Sequence, residues 1–162
     1  MQKAAVQLGM DTDPDIASGG LVPHAEIRTP ARLEAVEPPK DFFITRDGKQ
    51  YAGTHLIVDF WGADRLDDLD HIEAAMRDSV DAAGATLLHI HLHHFTPNHG
   101  VSGVAVLAES HISVHTWPEH GFAAFDVFMC GEAEPLKAVE VLERAFAPDR
   151  VEIGEHLRGR ME

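Results

Sequence analysis

From residue 109 to residue 119 the chain reads Glu109-Ser110-His111-Ile112-Ser113-Val114-His115-Thr116-Trp117-Pro118-Glu119. Two serines, two histidines and two glutamates fall within these eleven positions, the densest polar cluster of the sequence. On a strand, alternate side chains share a face, so His111, Ser113 and His115 point one way and Ile112, Val114 and Thr116 the other. Serine and histidine are the types that serve as nucleophile and general base. A surface strand alternates too, and Ser110 taken alone reads as a surface or turn hydroxyl. Cys130 is the sole cysteine. It is either a small buried side chain or a proton donor and nucleophile. A Cys–His hydrolase pairing Cys130 with a histidine leaves the Glu-Ser-His run without a role.

A second candidate centre is His89, His91 and His93, three imidazoles on one face of a strand, which raises a zinc site and a His-rich metal-binding protein as an alternative function. Same-face neighbours on one strand stand about 6–7 Å apart, too far to converge on one ion unaided. No carboxylate or cysteine lies at a suitable spacing nearby. A polar strand face at a subunit boundary is the competing reading, and no metal is expected.

The elements that must position these groups are legible from periodicity. Thr54–Trp61 reads as a strand closed by Gly62. Leu69, Ile72, Met76 and Val80 recur at helical spacing and end at Gly84. Ala85–Phe95 is strand-like, and Thr96-Pro97-Asn98-His99-Gly100 is a loop. Strands follow at Val101–Leu107, His111–Trp117 and Phe122–Met129, with a turn at Pro118-Glu119-His120-Gly121. A helix over Pro135–Phe146 and a strand over Arg150–His156 complete the order β-α-β-β-β-β-α-β. That order predicts an α+β fold, a two-layer α/β sandwich with a mainly antiparallel sheet and both helices on one face. The other face then needs a cover, which a second subunit would supply. Residues 1–40 are rich in Ala, Pro, Gly and acidic side chains without a sustained period. Residues 1–50 are expected to form a flexible N-terminal extension, and 51–162 the folded domain.

The chain has 162 residues and a net charge of −14 with histidine neutral. Such a balance repels nucleic acid and anionic membranes and suits cationic small ligands, besides keeping the protein soluble. The lone cysteine excludes an internal disulfide framework and fits a reducing cytosol. No stretch approaches the ~20 apolar residues that span a bilayer. Met1 to Lys40 lacks the basic start and apolar run of a secretory signal. A cytoplasmic protein is expected.

The run Ala108–Pro118-Glu119, the following Gly121-Phe122-Ala123-Ala124-Phe125-Asp126-Val127-Phe128-Met129-Cys130-Gly131, and the upstream His94-Phe95-Thr96-Pro97 and Gly100-Val101-Ser102-Gly103 closely resemble the signature of prokaryotic S-adenosylmethionine decarboxylases. The resemblance spans roughly residues 53–160 and is far more specific than a short motif. It implies a self-cleaving, pyruvoyl-dependent decarboxylase that supplies decarboxylated S-adenosylmethionine for spermidine synthesis. The Glu109–Ser110 bond resembles the cleavage site, where the Ser110 hydroxyl attacks the preceding carbonyl and becomes, after elimination and hydrolysis, a covalently bound pyruvoyl group. His115 matches the residue that helps remove the Ser110 Cα proton, and Ser102 the hydroxyl that stabilises the oxyanion of the acyl shift. Cys130 matches the proton donor of the decarboxylation. Phe95 resembles the aromatic that stacks on adenine, and Glu119 the carboxylate that holds the ribose hydroxyls. A built-in carbonyl also suits the chemistry, because decarboxylation leaves electrons on the α-carbon that a conjugated carbonyl accepts. The resemblance implies S-adenosylmethionine as substrate and a homodimer of processed protomers.

Three features depart from the compact relatives: the long N-terminal extension, the end at Glu162 where many continue, and a loop one residue longer at Asn98-His99. Ornithine or arginine is the alternative substrate, since relatives acting on them need the same pyruvoyl machinery. A ring at Phe95 and a carboxylate at Glu119 favour a nucleoside.

Overall fold

A computed structural model describes residues 42–97 and 99–161. The expected flexible extension falls mostly outside that range, because residues 1–41 are not among the described residues. The chain is first described in a hairpin, β1 (Ile44–Arg46) with β2 (Lys49–Tyr51). Its turn is Asp47-Gly48, with φ of +52° and +72°. Two successive left-handed residues make the tight turn whose twist matches antiparallel strands, and Asp-Gly is a preferred pair for it. Strand β3 (Gly53–Trp61), helix α1 (Leu69–Ala82), β4 (Leu87–His94), β5 (Val101–Leu107) and β6 (Ser110–Trp117) follow. A single 3₁₀ turn at Pro118–His120 leads into β7 (Phe122–Cys130), α2 (Pro135–Phe146) and β8 (Arg150–Arg158).

The six long strands form one sheet in the order β4-β5-β6-β7-β3-β8, every neighbour antiparallel. Both helices lie on one face, the two-layer α+β sandwich expected from the element order. Period-two alternation sends Leu56, Val58 and Phe60 of β3, Ile112 and Val114 of β6, and Phe125, Val127 and Met129 of β7 beneath them. From above, Ile72, Met76 and Val80 of α1 and Val139, Leu142 and Phe146 of α2 meet that layer. Phe125 sits between Phe60 and Phe146, with ring centroids 5.2 and 5.6 Å away. Helix α1 starts where the Asp68 carboxylate accepts the His71 backbone N–H (3.1 Å), which satisfies one of the free donors of a helix start. Among the described residues no helix is long and apolar enough to cross a membrane.

The opposite face is open in the single chain. It carries Ile57, Trp61, Val106 and Trp117, all substantially exposed, between histidines and carboxylates. At its centre Asp126 accepts from the Ser113 hydroxyl (3.0 Å) and lies 3.2 Å from His55 Nε2. Arg158 donates to His55 Nδ1 at 3.2 Å, which places the His55 proton on Nε2, facing Asp126. Burial and the neighbouring His55 both lower the His111 pKa, with Asp126 opposing them.

One buried hydroxyl ties the end of β6 to its surroundings. Thr116 Oγ1 donates to the Leu66 carbonyl (2.7 Å) and accepts the Val101 N–H (2.8 Å). Gly100 lets the chain pass this point, since a Cβ there would stand 2.7 Å from the Thr116 carbonyl oxygen. Thr116→Val keeps the shape and leaves both backbone groups unpaired, so a loss of about 1–3 kcal/mol is expected in chemical denaturation. An unchanged unfolding midpoint would show that the hydroxyl does not hold these strands.

Candidate active site

The β5–β6 connection is a two-residue turn, Ala108-Glu109, because Leu107 pairs with Ser110 across the ladder. Glu109 is held at φ +65°, a left-handed conformation that costs a non-glycine residue about 1–2 kcal/mol. The Glu109–Ser110 peptide is therefore strained, exposed on its Glu109 side, and joined to the first residue of β6. Across from it, β7 ends at Cys130, whose backbone N–H donates to Ser110 Oγ (3.1 Å). Ser110, Cys130 and Glu109 line one cleft of about 680 Å³, together with Thr86, Glu132 and residues 42–46. Burial pushes the Cys130 thiol up, and the nearby Glu109 carboxylate pushes it further, so the thiol holds its proton above the usual range.

The other end of β6 carries a second cleft, of about 400 Å³. There the register sets Ser102 of β5 opposite His115, and Ser102 Oγ lies 2.8 Å from His115 Nδ1. Phe95, Trp117 and Glu119 line the same cleft. Phe95 is 47% and Trp117 40% exposed, so both present ring surface to solvent. The His93 ring meets Phe95 edge-on at 4.6 Å.

The sequence-predicted residues thus fall into two groups. Ser110, Glu109 and Cys130 stand together, and Ser102, His115, Phe95 and Glu119 stand together. Five residue steps along one continuous strand separate Ser110 from His115, about 16 Å at the rise of a β-strand. Within one chain His115 does not reach Ser110. His89, His91 and His93 are exposed on edge strand β4, and among the described residues no group of three or more His, Cys, Asp or Glu side chains is placed to hold a metal ion.

The family model for S-adenosylmethionine decarboxylase matches residues 54–159. The chain belongs to the S-adenosylmethionine decarboxylase family. It is 48% identical to the S-adenosylmethionine decarboxylase proenzyme of Thermomicrobium roseum over 108 residues, covering 66% of this chain and 93% of that relative. The proenzyme of the same name from Thermotoga maritima is 47% identical over 111 residues, covering 67% of this chain and 85% of that relative. The crystal structure of the adenosylmethionine decarboxylase from Aquifex aeolicus superposes with a TM-score of 0.63 at 35% identity, covering 69% of this chain and 94% of that one.

Two contributors to the clefts escaped the sequence reading. Trp117 was legible as the next same-face residue after His115, two positions along β6. Residues 42–46, expected to lie in the flexible extension, instead form a wall of the first cleft, and Asp47-Gly48 between two apolar-containing runs is the local hairpin signal for them. With its pKa raised, the Cys130 thiol keeps its proton at neutral pH. Alkylation of Cys130 as a function of pH should show a midpoint above the ordinary thiol range. Glu109→Gln should move it down only part of the way, because burial is the larger cause. Identical midpoints in both proteins would remove Glu109 from the thiol's environment.

Proposed function

We propose that this chain is a self-processing S-adenosylmethionine decarboxylase whose electron sink is a pyruvoyl group made from Ser110. The observation that carries it is the contact of Cys130 with Ser110 directly after a strained turn, in a chain whose relatives are named proenzymes of that activity. The decarboxylase domain includes the hairpin that lines its cleft, so it runs from about residue 42 and not from residue 51, and it is cut between 109 and 110.

Maturation follows from the residues present. Ser110 Oγ attacks the Glu109 carbonyl carbon, the Glu109 C–N bond breaks, and an ester replaces the amide, which frees the left-handed residue from its strained turn. Ser102, with its hydroxyl against His115, stabilises the oxyanion of this shift. His115 acts as base toward the Ser110 Cα proton, Glu109 departs as a carboxylate, and water releases the former Ser110 nitrogen as ammonia. Position 110 would then hold a pyruvoyl group, which would supply a carbonyl to bind the substrate amine and to accept the electron pair left when carbon dioxide departs. Cys130 Sγ, protonated because it is buried and beside Glu109, returns a proton to the α-carbon.

Because Ser102 and His115 lie about 16 Å from Ser110 in one chain, these steps require a second copy. The homodimer buries the open sheet face with its exposed Ile57, Trp61, Val106 and Trp117, and brings one protomer's Ser110 end against His115 of the partner subunit. The adenosyl end of the substrate then lies between the Phe95 and Trp117 rings of that second cleft, with its ribose hydroxyls on Glu119. Ornithine and arginine offer neither a ring to stack nor a diol to bind. The single cysteine fits a reducing compartment, which supports a cytoplasmic enzyme.

Wild-type protein is expected to separate into fragments 1–109 and 110–162, and Ser110→Ala to stay whole and inactive. Co-expression of Ser110→Ala with His115→Ala chains tests the shared site. One of the two sites in the mixed dimer then combines an intact Ser110 with an intact His115, so the His115→Ala chain should be cut. Failure of that chain to cleave, with each wild-type homodimer active, would place both groups in one protomer.

The substrate assignment is tested separately. Phe95→Ala should raise KM for S-adenosylmethionine several-fold, since a lost ring contact is worth about 0.5–1.5 kcal/mol beyond buried area. Glu119→Gln should raise it as well, and neither variant should prevent cleavage. Faster release of carbon dioxide from ornithine or arginine than from S-adenosylmethionine would overturn the assignment.

A further inference from the structure

The cleft around Ser110 and Cys130 has one wall that lies outside the family match, which begins at residue 54. That wall is residues 42–46, the start of the β1–β2 hairpin. It is fixed to the site by backbone. The Gly131 N–H, next after Cys130, donates to the Phe42 carbonyl (3.1 Å), and a Cβ on Gly131 would meet the Phe42 ring at 3.5 Å. The hairpin's other strand is tied to the C-terminal end of the chain, where the Met161 N–H donates to the Gln50 carbonyl (2.8 Å). Residue 46 is therefore held in a fixed relation to the Ser110 cleft.

Arg46 is the only cation among the described residues that line this cleft, which it shares with Glu109 and Glu132. Arg65, Arg77, Lys137 and Arg150 each sit on a carboxylate. Among the described residues Arg46 has no such partner. A guanidinium is a rigid fork of donors that matches a carboxylate in two parallel hydrogen bonds. The substrate of the proposed reaction carries one carboxylate, on the carbon whose amine must reach position 110.

We infer that Arg46 binds the α-carboxylate of S-adenosylmethionine, the group that leaves as carbon dioxide, and so aims the α-amine at position 110. The inference rests on the decarboxylase reading above and adds a substrate-binding residue from a segment that the family match does not include. Its kinetic signature follows from the chemistry. The ion pair is strongest while the carboxylate still bears its full charge, so it favours the bound substrate over the transition state. Losing it raises KM and leaves kcat unchanged or higher.

The test compares two ligands that differ only in that carboxylate. In the processed enzyme, Arg46→Ala should raise KM for S-adenosylmethionine about ten- to a hundred-fold, the worth of a hydrogen-bonded charge. The inhibition constant of the decarboxylated product should change less than about two-fold, because it has no carboxylate to lose. Arg46→Lys should fall between, keeping the charge without the fork. Calorimetric titration of both ligands into Ser110→Ala protein, with and without Arg46→Ala, should show the same selectivity without turnover. An unchanged KM overturns the inference, and so does equal weakening of both ligands, which would make Arg46 a support of the fold. Wild-type protein that neither cleaves nor releases carbon dioxide would instead fail the broader reading.

Discussion

The register of β5 against β6 is the constraint on which the rest of the site depends. It is set by a turn of only two residues, so Leu107 must face Ser110 and every later pair is fixed, out to Ser102 against His115. A slip of one residue would send every side chain of β6 to the other face. Ile112 and Val114 would leave the core and His115 would enter it. The apolar half of the alternation, buried under α1 and α2, is therefore what holds the polar half in place. The same short turn concentrates strain at Glu109, beside the bond to Ser110, and the ladder on either side prevents the turn from relaxing.

A strand of eight residues holds two different kinds of chemistry apart at its two ends. Near Ser110 the surroundings are a backbone donor, a half-buried thiol and carboxylates, a setting that suits acyl rearrangement and proton return. Near His115 they are aromatic faces, a hydroxyl and a carboxylate, a setting that suits recognition of a large planar ligand. A strand is too stiff to fold these ends together, so in the proposed mechanism their cooperation falls to a second copy of the chain. The open face offers the means: large exposed apolar side chains beside an internally paired Ser113–Asp126–His55 network that can enter an interface with its hydrogen bonds already made.

Charge gives the two clefts a common bias. A protein of net charge −14 draws a sulfonium and an ammonium toward it from any direction. The same field disfavours the substrate's carboxylate, which makes the placement of a single unpaired arginine in an otherwise acidic cleft consequential. The thiol shows the complementary effect, since the carboxylate that repels an anion also keeps Cys130 protonated.

The sequence by itself determined the element order from β3 onward and the sheet with helices on one face, and it nominated the candidate residues of the site. Each follows from local pattern: period two along β6 and β7, helical spacing of Leu69, Ile72, Met76 and Val80, and an unbroken signature from residue 108 to residue 131. Pattern of this kind records which face a side chain takes and what type it is. It does not record distance between elements. Only the tertiary structure decided that Cys130 meets Ser110, because that contact comes from β7 pairing with β6. Only the tertiary structure decided that His115 stands far from the serine it was expected to serve, because a strand extends by about 3.3 Å for every residue. The placement of residues 42–46 was decided in the same way. Their hairpin signal was local and readable, but their packing against Gly131 joins segments almost ninety residues apart, and no local pattern carries that.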